Sequence, residues 1–160
     1  MRLTVYTDYS LRVLMFLALK DEGLSTVAEI AKTYGISKNH LMKVAHQLGV
    51  AGYVETVRGK GGGMRLARQP QDICIGEVVR HTEPDMEFVP CFDSEDTSCT
   101  IVSSCALRGS LSRARDAFLS VLDEQTLADL VRPRAALHKL LSITPEDRAA
   151  TRRGHPAQRT

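Results

Sequence analysis

Three cysteines, Cys91, Cys99 and Cys105, fall within 15 residues in the pattern C-x7-C-x5-C. A fourth, Cys74, stands apart between Ile73 and Ile75, where a small apolar side chain packs well, and it is assigned to packing. With Arg2, Asp8 and Arg12 around the apolar run Val13–Leu19, no secretion signal is expected, and clustered thiols then point to metal or redox chemistry and away from structural disulfides. Closed zinc sites want four protein ligands, commonly from paired C-x2-4-C units, and neither condition is met. Iron–sulfur clusters accept thiolates from longer, irregular loops and can leave one iron to another ligand. Residues 82–99 form such a loop, with six acids (Glu83, Asp85, Glu87, Asp93, Glu95 and Asp96) and no Lys or Arg. Spacing alone leaves open that the three thiols carry no ligand.

A second chemistry is written into the first half of the chain. Residues 1–70 hold ten Lys/Arg against five Asp/Glu, although the whole chain of 160 residues carries only +2. That excess suits a phosphate-rich partner. Ser37, Lys38, Asn39 and His40 open one helical segment, and Lys43 lies on its outer face. Lys pairs with phosphate or guanine, and Asn can bond adenine in two places. Arg58, Lys60 and Arg65 are spread over a glycine-rich turn and its return strand, Arg58-Gly59-Lys60-Gly61-Gly62-Gly63-Met64-Arg65. The turn has no Gly-Lys-Ser/Thr and leads into a strand, so it is neither a phosphate-binding loop of the Walker kind nor a dinucleotide fingerprint.

The elements that must position these residues follow from hydrophobic spacing. Leu11, Leu14, Met15 and Ala18 mark a largely buried helix over 7–20, ended by Gly23. Asp8 or Thr7 can cap its start. Thr26 and Glu29 have capping-box spacing for a second helix, which Gly35 stops. Ser37 caps a third, whose inner face is Leu41, Val44, Ala45 and Leu48. Residues 53–57 and 64–66 are strands around the glycine-rich turn. Helix, helix, tight turn, helix and hairpin is the order of a winged helix-turn-helix. A short helix covers 75–82. A longer one starts at Ser104, with an apolar seam at Leu107, Leu111, Ala114, Phe118 and Val121 about two heptads long. One or two further turns cover 125–131, and His138 sits on a late helix.

The expected fold is mainly α with a small β wing: a winged helix-turn-helix, then a cluster-binding loop and a long dimerisation helix. The expected division is 1–81 for DNA binding, 82–145 for the cluster loop and dimerisation, and 146–160 as a disordered tail. The longest apolar run, Val13–Leu19, is seven residues, far short of the ~20 that cross a bilayer. The compartment expected is the cytoplasm, with no membrane partner. An enzyme is disfavoured, because no C-x-x-C pair and no Ser/His/Asp arrangement is present.

These placements carry a family resemblance over residues 1 to about 141. Met1-Arg2-Leu3-Thr4, Thr7-Asp8-Tyr9, Tyr34-Gly35-Ile36-Ser37-Lys38-Asn39-His40, Val57-Arg58-Gly59-Lys60-Gly61-Gly62-Gly63, Ile75-Gly76-Glu77-Val78-Val79-Arg80 and Leu127-Ala128-Asp129-Leu130-Val131 resemble the NsrR/IscR/RirA family of iron–sulfur transcription regulators. The likeness is strongest to its nitric-oxide-sensing branch. One branch has a histidine ligand where this chain has Arg108. The resemblance implies a homodimeric repressor of double-stranded operator DNA holding an iron–sulfur cluster, 4Fe–4S in preference to 2Fe–2S. It implies Cys91, Cys99 and Cys105 as ligands, with Asp8 of the partner subunit as the fourth. Nitric oxide would then act as effector by dismantling the cluster and releasing DNA. An iron-responsive regulator is the alternative within the family.

Overall fold

The structure, a computed structural model, describes residues 2–20, 23–93, 95 and 98–143. The tail expected from residue 146 lies outside them. The first half runs α1 (Val5–Leu19), α2 (Val27–Tyr34), α3 (Lys38–Val50), β1 (Val54–Val57), β2 (Gly63–Leu66) and α4 (Ile75–Thr82). After the thiol loop come α5 (Ala106–Asp123), α6 (Leu127–Leu130) and α7 (Arg134–Leu140). Among the described residues no helix is long and apolar enough to cross a membrane.

α1 is the central helix. Val13, Leu14, Phe16, Leu17, Ala18 and Leu19 are all buried, and each of the larger side chains is worth roughly 1.5–3 kcal/mol removed from water. The helix begins two residues before the sequence pattern suggests, because Thr4 and not Thr7 or Asp8 caps it: the Thr4 hydroxyl accepts from the Thr7 amide at 3.2 Å. Thr4 is in turn held by Glu83, whose Oε1 accepts from the Thr4 amide at 2.8 Å. The helix also ends earlier, at Leu19, with Lys20 as its C-cap.

α2 starts with the capping box that its spacing implies. The Glu29 amide donates to the Thr26 hydroxyl, and the Glu29 carboxylate accepts from the Thr26 amide at 2.6 Å. Gly35 ends it at φ 64°, a left-handed conformation that costs a β-carbon-bearing residue free energy. The chain thereby turns directly into α3, where Ser37 holds the N-cap position without a side-chain bond. β1 and β2 pair antiparallel in the register Val54 to Leu66 and Val57 to Gly63. Ser25 and Met64 exchange backbone bonds of 2.9 and 2.8 Å, which pin the hairpin to the segment entering α2.

The later helices pack back onto the same core. Leu127, Val131 and Ile143 are buried in it together with Leu14, Ile30, Leu48 and Val79. α7 lies against α1, where the Leu19 carbonyl accepts from Arg134 at 3.3 Å and is 2.9 Å from His138 Nε2. α5 differs: none of its residues is fully buried. Its C-terminal end is nevertheless fixed firmly to α4. Arg80 donates two bonds of 2.6 Å to the Asp123 carboxylate. The Ile75 amide donates to Gln125, and the Leu127 amide to Ile73, at 2.9 Å each. Cys74 sits half-buried in this junction, its thiol 3.7 Å from the Asp123 carbonyl.

Asp123 reaches this position because residue 76 is glycine. A β-carbon there would run into the Asp123 carboxylate. The bonds from Arg80 hold the Asp123 carboxyl below its ordinary value. Its contribution is thus complete above the ordinary carboxylate range and lost as the pH falls through the lowered value. Gly76→Ala, which at an ordinary helix position stabilises, is expected here to cost about 1–3 kcal/mol through overpacking. Thermal melts of Gly76→Ala and of Gly76→Ala/Asp123→Ala check this: the second change is expected to recover part of the loss.

Candidate functional site

The polar face of α3 is assembled by the burial of its other face. Leu41, Val44, Ala45 and Leu48 point into the core, which leaves Ser37, Lys38, Asn39, His40 and Lys43 exposed on the outside. The His40 ring lies 6.5 Å from that of Tyr9 on α1. Arg58 and Lys60 are exposed in the turn between β1 and β2, which closes with a 2.9 Å bond from the Gly62 amide to the Gly59 carbonyl. Arg65 lies on β2, where its Nε donates to Glu55 at 2.9 Å across the hairpin. An exposed helix face and a cationic hairpin, both mounted on one core, have the form that docks on duplex DNA.

Cys91, Cys99 and Cys105 are all unbridged and half-buried. Cys91 lies in a helical turn over Pro90–Phe92. The Cys99 carbonyl accepts from the Val102 amide at 3.3 Å. Cys105 is the N-cap of α5, and its sulfur accepts from the Arg108 amide at 3.4 Å. The Arg108 side chain reaches back to the Cys91 carbonyl at 2.9 Å, so one residue ties the first thiol segment to the third. Arg115 lies over the Phe92 ring, 5.1 Å from its centroid. A cleft of about 510 Å³ opens here, lined among others by Phe92, Cys105, Arg108, Ser112 and Arg115.

Among the described residues, no three His, Cys, Asp or Glu side chains converge tightly enough to hold a metal ion. The donor set nevertheless suits an anionic thiolate-ligated group. Its soft donors come from one loop, one of them stands at a helix N-terminus, where negative charge is favoured, and two guanidinium groups lie beside it. The loop's acids crowd one another. Burial first, then the charges of Asp93 and Asp85, push the Glu87 carboxyl up.

Among the described residues, Asp8 belongs to no group of three His, Cys, Asp or Glu that could hold a metal ion. It lies in the first turn of α1, half-exposed, and accepts from Arg12 at 3.0 Å. Arg12 also stands 5.8 Å from the centroid of the Tyr34 ring, the last residue of α2 before the turn. Nothing in the sequence pattern gives Arg12, Tyr34 or Arg115 a role at a site. The i, i+4 spacing of Asp8 and Arg12 is a usable signal for their pairing. The approach of Arg115 to Phe92 has none, since 23 residues separate them.

If Arg108 holds the first thiol segment in place, Arg108→Ala should speed hydrogen exchange at the Phe92 and Asp93 amides with little change in melting temperature. Exchange unchanged at both amides would show that the segment holds itself.

The family model of Rrf2, described as an iron-dependent transcriptional regulator, matches residues 3–133. The HTH-type transcriptional regulator NsrR of Bacillus subtilis (strain 168) is 56% identical over 144 residues, covering 89% of this chain and 99% of that protein. The regulator of the same name from Halalkalibacterium halodurans is 47% identical over 146 residues, covering 91% and 100%. Among solved structures, CymR (YrzC), the global cysteine regulator of B. subtilis, is similar with a TM-score of 0.67 at 31% identity, over 81% of this chain and 95% of that one. T. potens IscR matches with a TM-score of 0.67 at 27% identity, over 83% and 88%.

Proposed function

The chain belongs to the Rrf2 family of transcriptional regulators, and from that premise we propose that it is a homodimeric repressor whose grip on operator DNA is gated by an iron–sulfur cluster that senses nitric oxide. It is a regulator and not an enzyme, as its relatives are. The observation that carries the proposal is the place of Cys105. The same residue is a thiol of the loop and the cap of α5, the helix whose Leu107 and Val121 are 66% and 60% exposed. A change at the thiols is therefore a change at the start of the helix with the uncovered apolar seam.

In this reading residues 1–81 read DNA and 82–145 hold the cluster and the dimer interface, and the protein works in the cytoplasm. Cys91, Cys99 and Cys105 would hold the group, with Asp8 of the partner subunit as the fourth ligand. When bound, a 4Fe–4S cluster, or a 2Fe–2S form, supplies iron that reacts with nitric oxide. A carboxylate is the hardest donor of the four, so its site is the one most open to an incoming small molecule. Within one chain Asp8 pairs with Arg12. As a ligand to the partner's cluster, Asp8 would give up its bond from Arg12, which stands beside Tyr34 at the turn between α2 and α3. Such a ligand would tie the helix-turn-helix of one chain to the thiol loop of the other. An iron-responsive regulator would use the same residues, and the description of the family supports that second reading.

Two experiments test the proposal. Operator affinity should fall with salt, and Arg58→Ala or Lys60→Ala should each reduce the log–log slope by about 0.9 for every phosphate the wing no longer neutralises. Unchanged slopes would remove the wing from the interface. The cross-subunit tie is tested by mixing Asp8→Ala chains with Cys91→Ser chains. One site of the heterodimer then combines an intact Asp8 with three intact cysteines, and one cluster with the wild-type spectrum per heterodimer is expected. If each chain ligated its own cluster, no site would be complete, and no wild-type spectrum would form.

A further inference from the structure

The outer face of α3 carries a side chain that neither packing nor charge accounts for. Met42 lies one turn after Asn39 and one turn before His46, a spacing that sets the three side by side on the helix surface. It is 50% exposed, with the exposed Lys38, Asn39, Lys43 and His46 around it. It belongs neither to the core nor to the side chains packed against the core. α3 also contains no Asp or Glu. The face thus offers cations, an amide, an imidazole and a single thioether, and nothing ionised that would accept from the cytosine amino group.

We propose that Met42 is a sequence-reading residue that packs on the C5-methyl of a thymine in the major groove and selects an A·T pair at one position of each half-site. The thymine methyl is the apolar feature that a base pair displays in that groove. An unbranched, polarisable thioether adapts to such a surface. Against a G·C pair in the same place, Met42 would cover the cytosine amino donor without replacing its bond to water, and an unsatisfied donor is costly. Preference therefore arises from attraction to thymine and from rejection of cytosine. The proposal rests on the reading that α3 enters the major groove, and it adds a residue whose role there is apolar.

The test uses the full-length, cluster-loaded protein and a duplex that this protein selects from random-sequence DNA. Each thymine of one half-site is replaced in turn by deoxyuridine, which removes only the methyl group. Kd is measured for the wild type, Met42→Ala and Met42→Leu. At one thymine the replacement should weaken wild-type binding about fourfold, the equivalent of one buried methyl group. Met42→Leu should keep that sensitivity, and Met42→Ala should lose it. If every replacement affects wild type and Met42→Ala equally, Met42 reads no methyl and the proposal falls. Asn39→Ala and Lys43→Ala separate this from failure of the docking reading. If both weaken binding while Met42 shows no coupling to any thymine, only the present inference is overturned. If neither weakens binding, α3 is not in the groove and both fall. Met42 is outside the core, so Met42→Ala should melt like the wild type, and the comparison is between folded proteins.

Discussion

The junction of α4 with the end of α5 sets how any event in the thiol loop can be felt by the exposed face of α3. Arg80 and Asp123 meet through two short bonds, and the segments on either side exchange backbone bonds through Ile73, Ile75, Gln125 and Leu127. α4 is buried through Ile75, Val78, Val79 and Thr82, so it belongs to the core on which α3 and the wing are mounted. α5 buries no residue fully and has Cys105 as its N-cap. The chain thus joins the core that carries α3 and the hairpin to a helix whose cap is a thiol. The close approach that makes the joint stiff depends on the missing side chain at Gly76.

α1 meets the same problem from the other side. Its apolar core face runs from Val13 to Leu19 with Met15 half-buried, while its first turn buries Thr7 and keeps Asp8 half-exposed. Thr4, held by Glu83, fixes that turn to the segment leaving α4. Asp8, Arg12 and Tyr34 then form a polar path along the surface to the end of α2, and Tyr9 lies beside His40 at the start of α3. The residue proposed to cross between subunits therefore lies next to the helix-turn-helix. Small displacements of a packed helix are transmitted whole, because the interior is too dense to absorb them.

Much of the fold is legible in the chain. The Thr26–Glu29 capping box, the left-handed Gly35 and the hairpin around the glycine-rich turn are local features, and α4 begins and ends where its apolar spacing indicates. The cap of α1 is not, because Thr4, Thr7 and Asp8 are all good caps, and the bond from Glu83 that favours Thr4 comes from 79 residues away. α7 gives little signal: it is seven residues long, and its hold on the Leu19 carbonyl spans more than a hundred residues. Of the site, the exposed faces are legible because burial follows periodicity. The roles of Arg108 and Arg115 are not, since a guanidinium side chain reaches in any direction and composition does not say where.

In the proposed function, thiol-loop chemistry and DNA binding form one equilibrium. The most direct measurement is a nitric oxide titration of oxygen-free, cluster-loaded dimer on its operator, recording visible absorbance and bound DNA from the same sample. The absorbance of the sulfur-to-iron bands should fall, and DNA should be released, along coincident curves. Bleaching that leaves the operator bound, or colourless protein that binds as tightly as coloured protein, would contradict it.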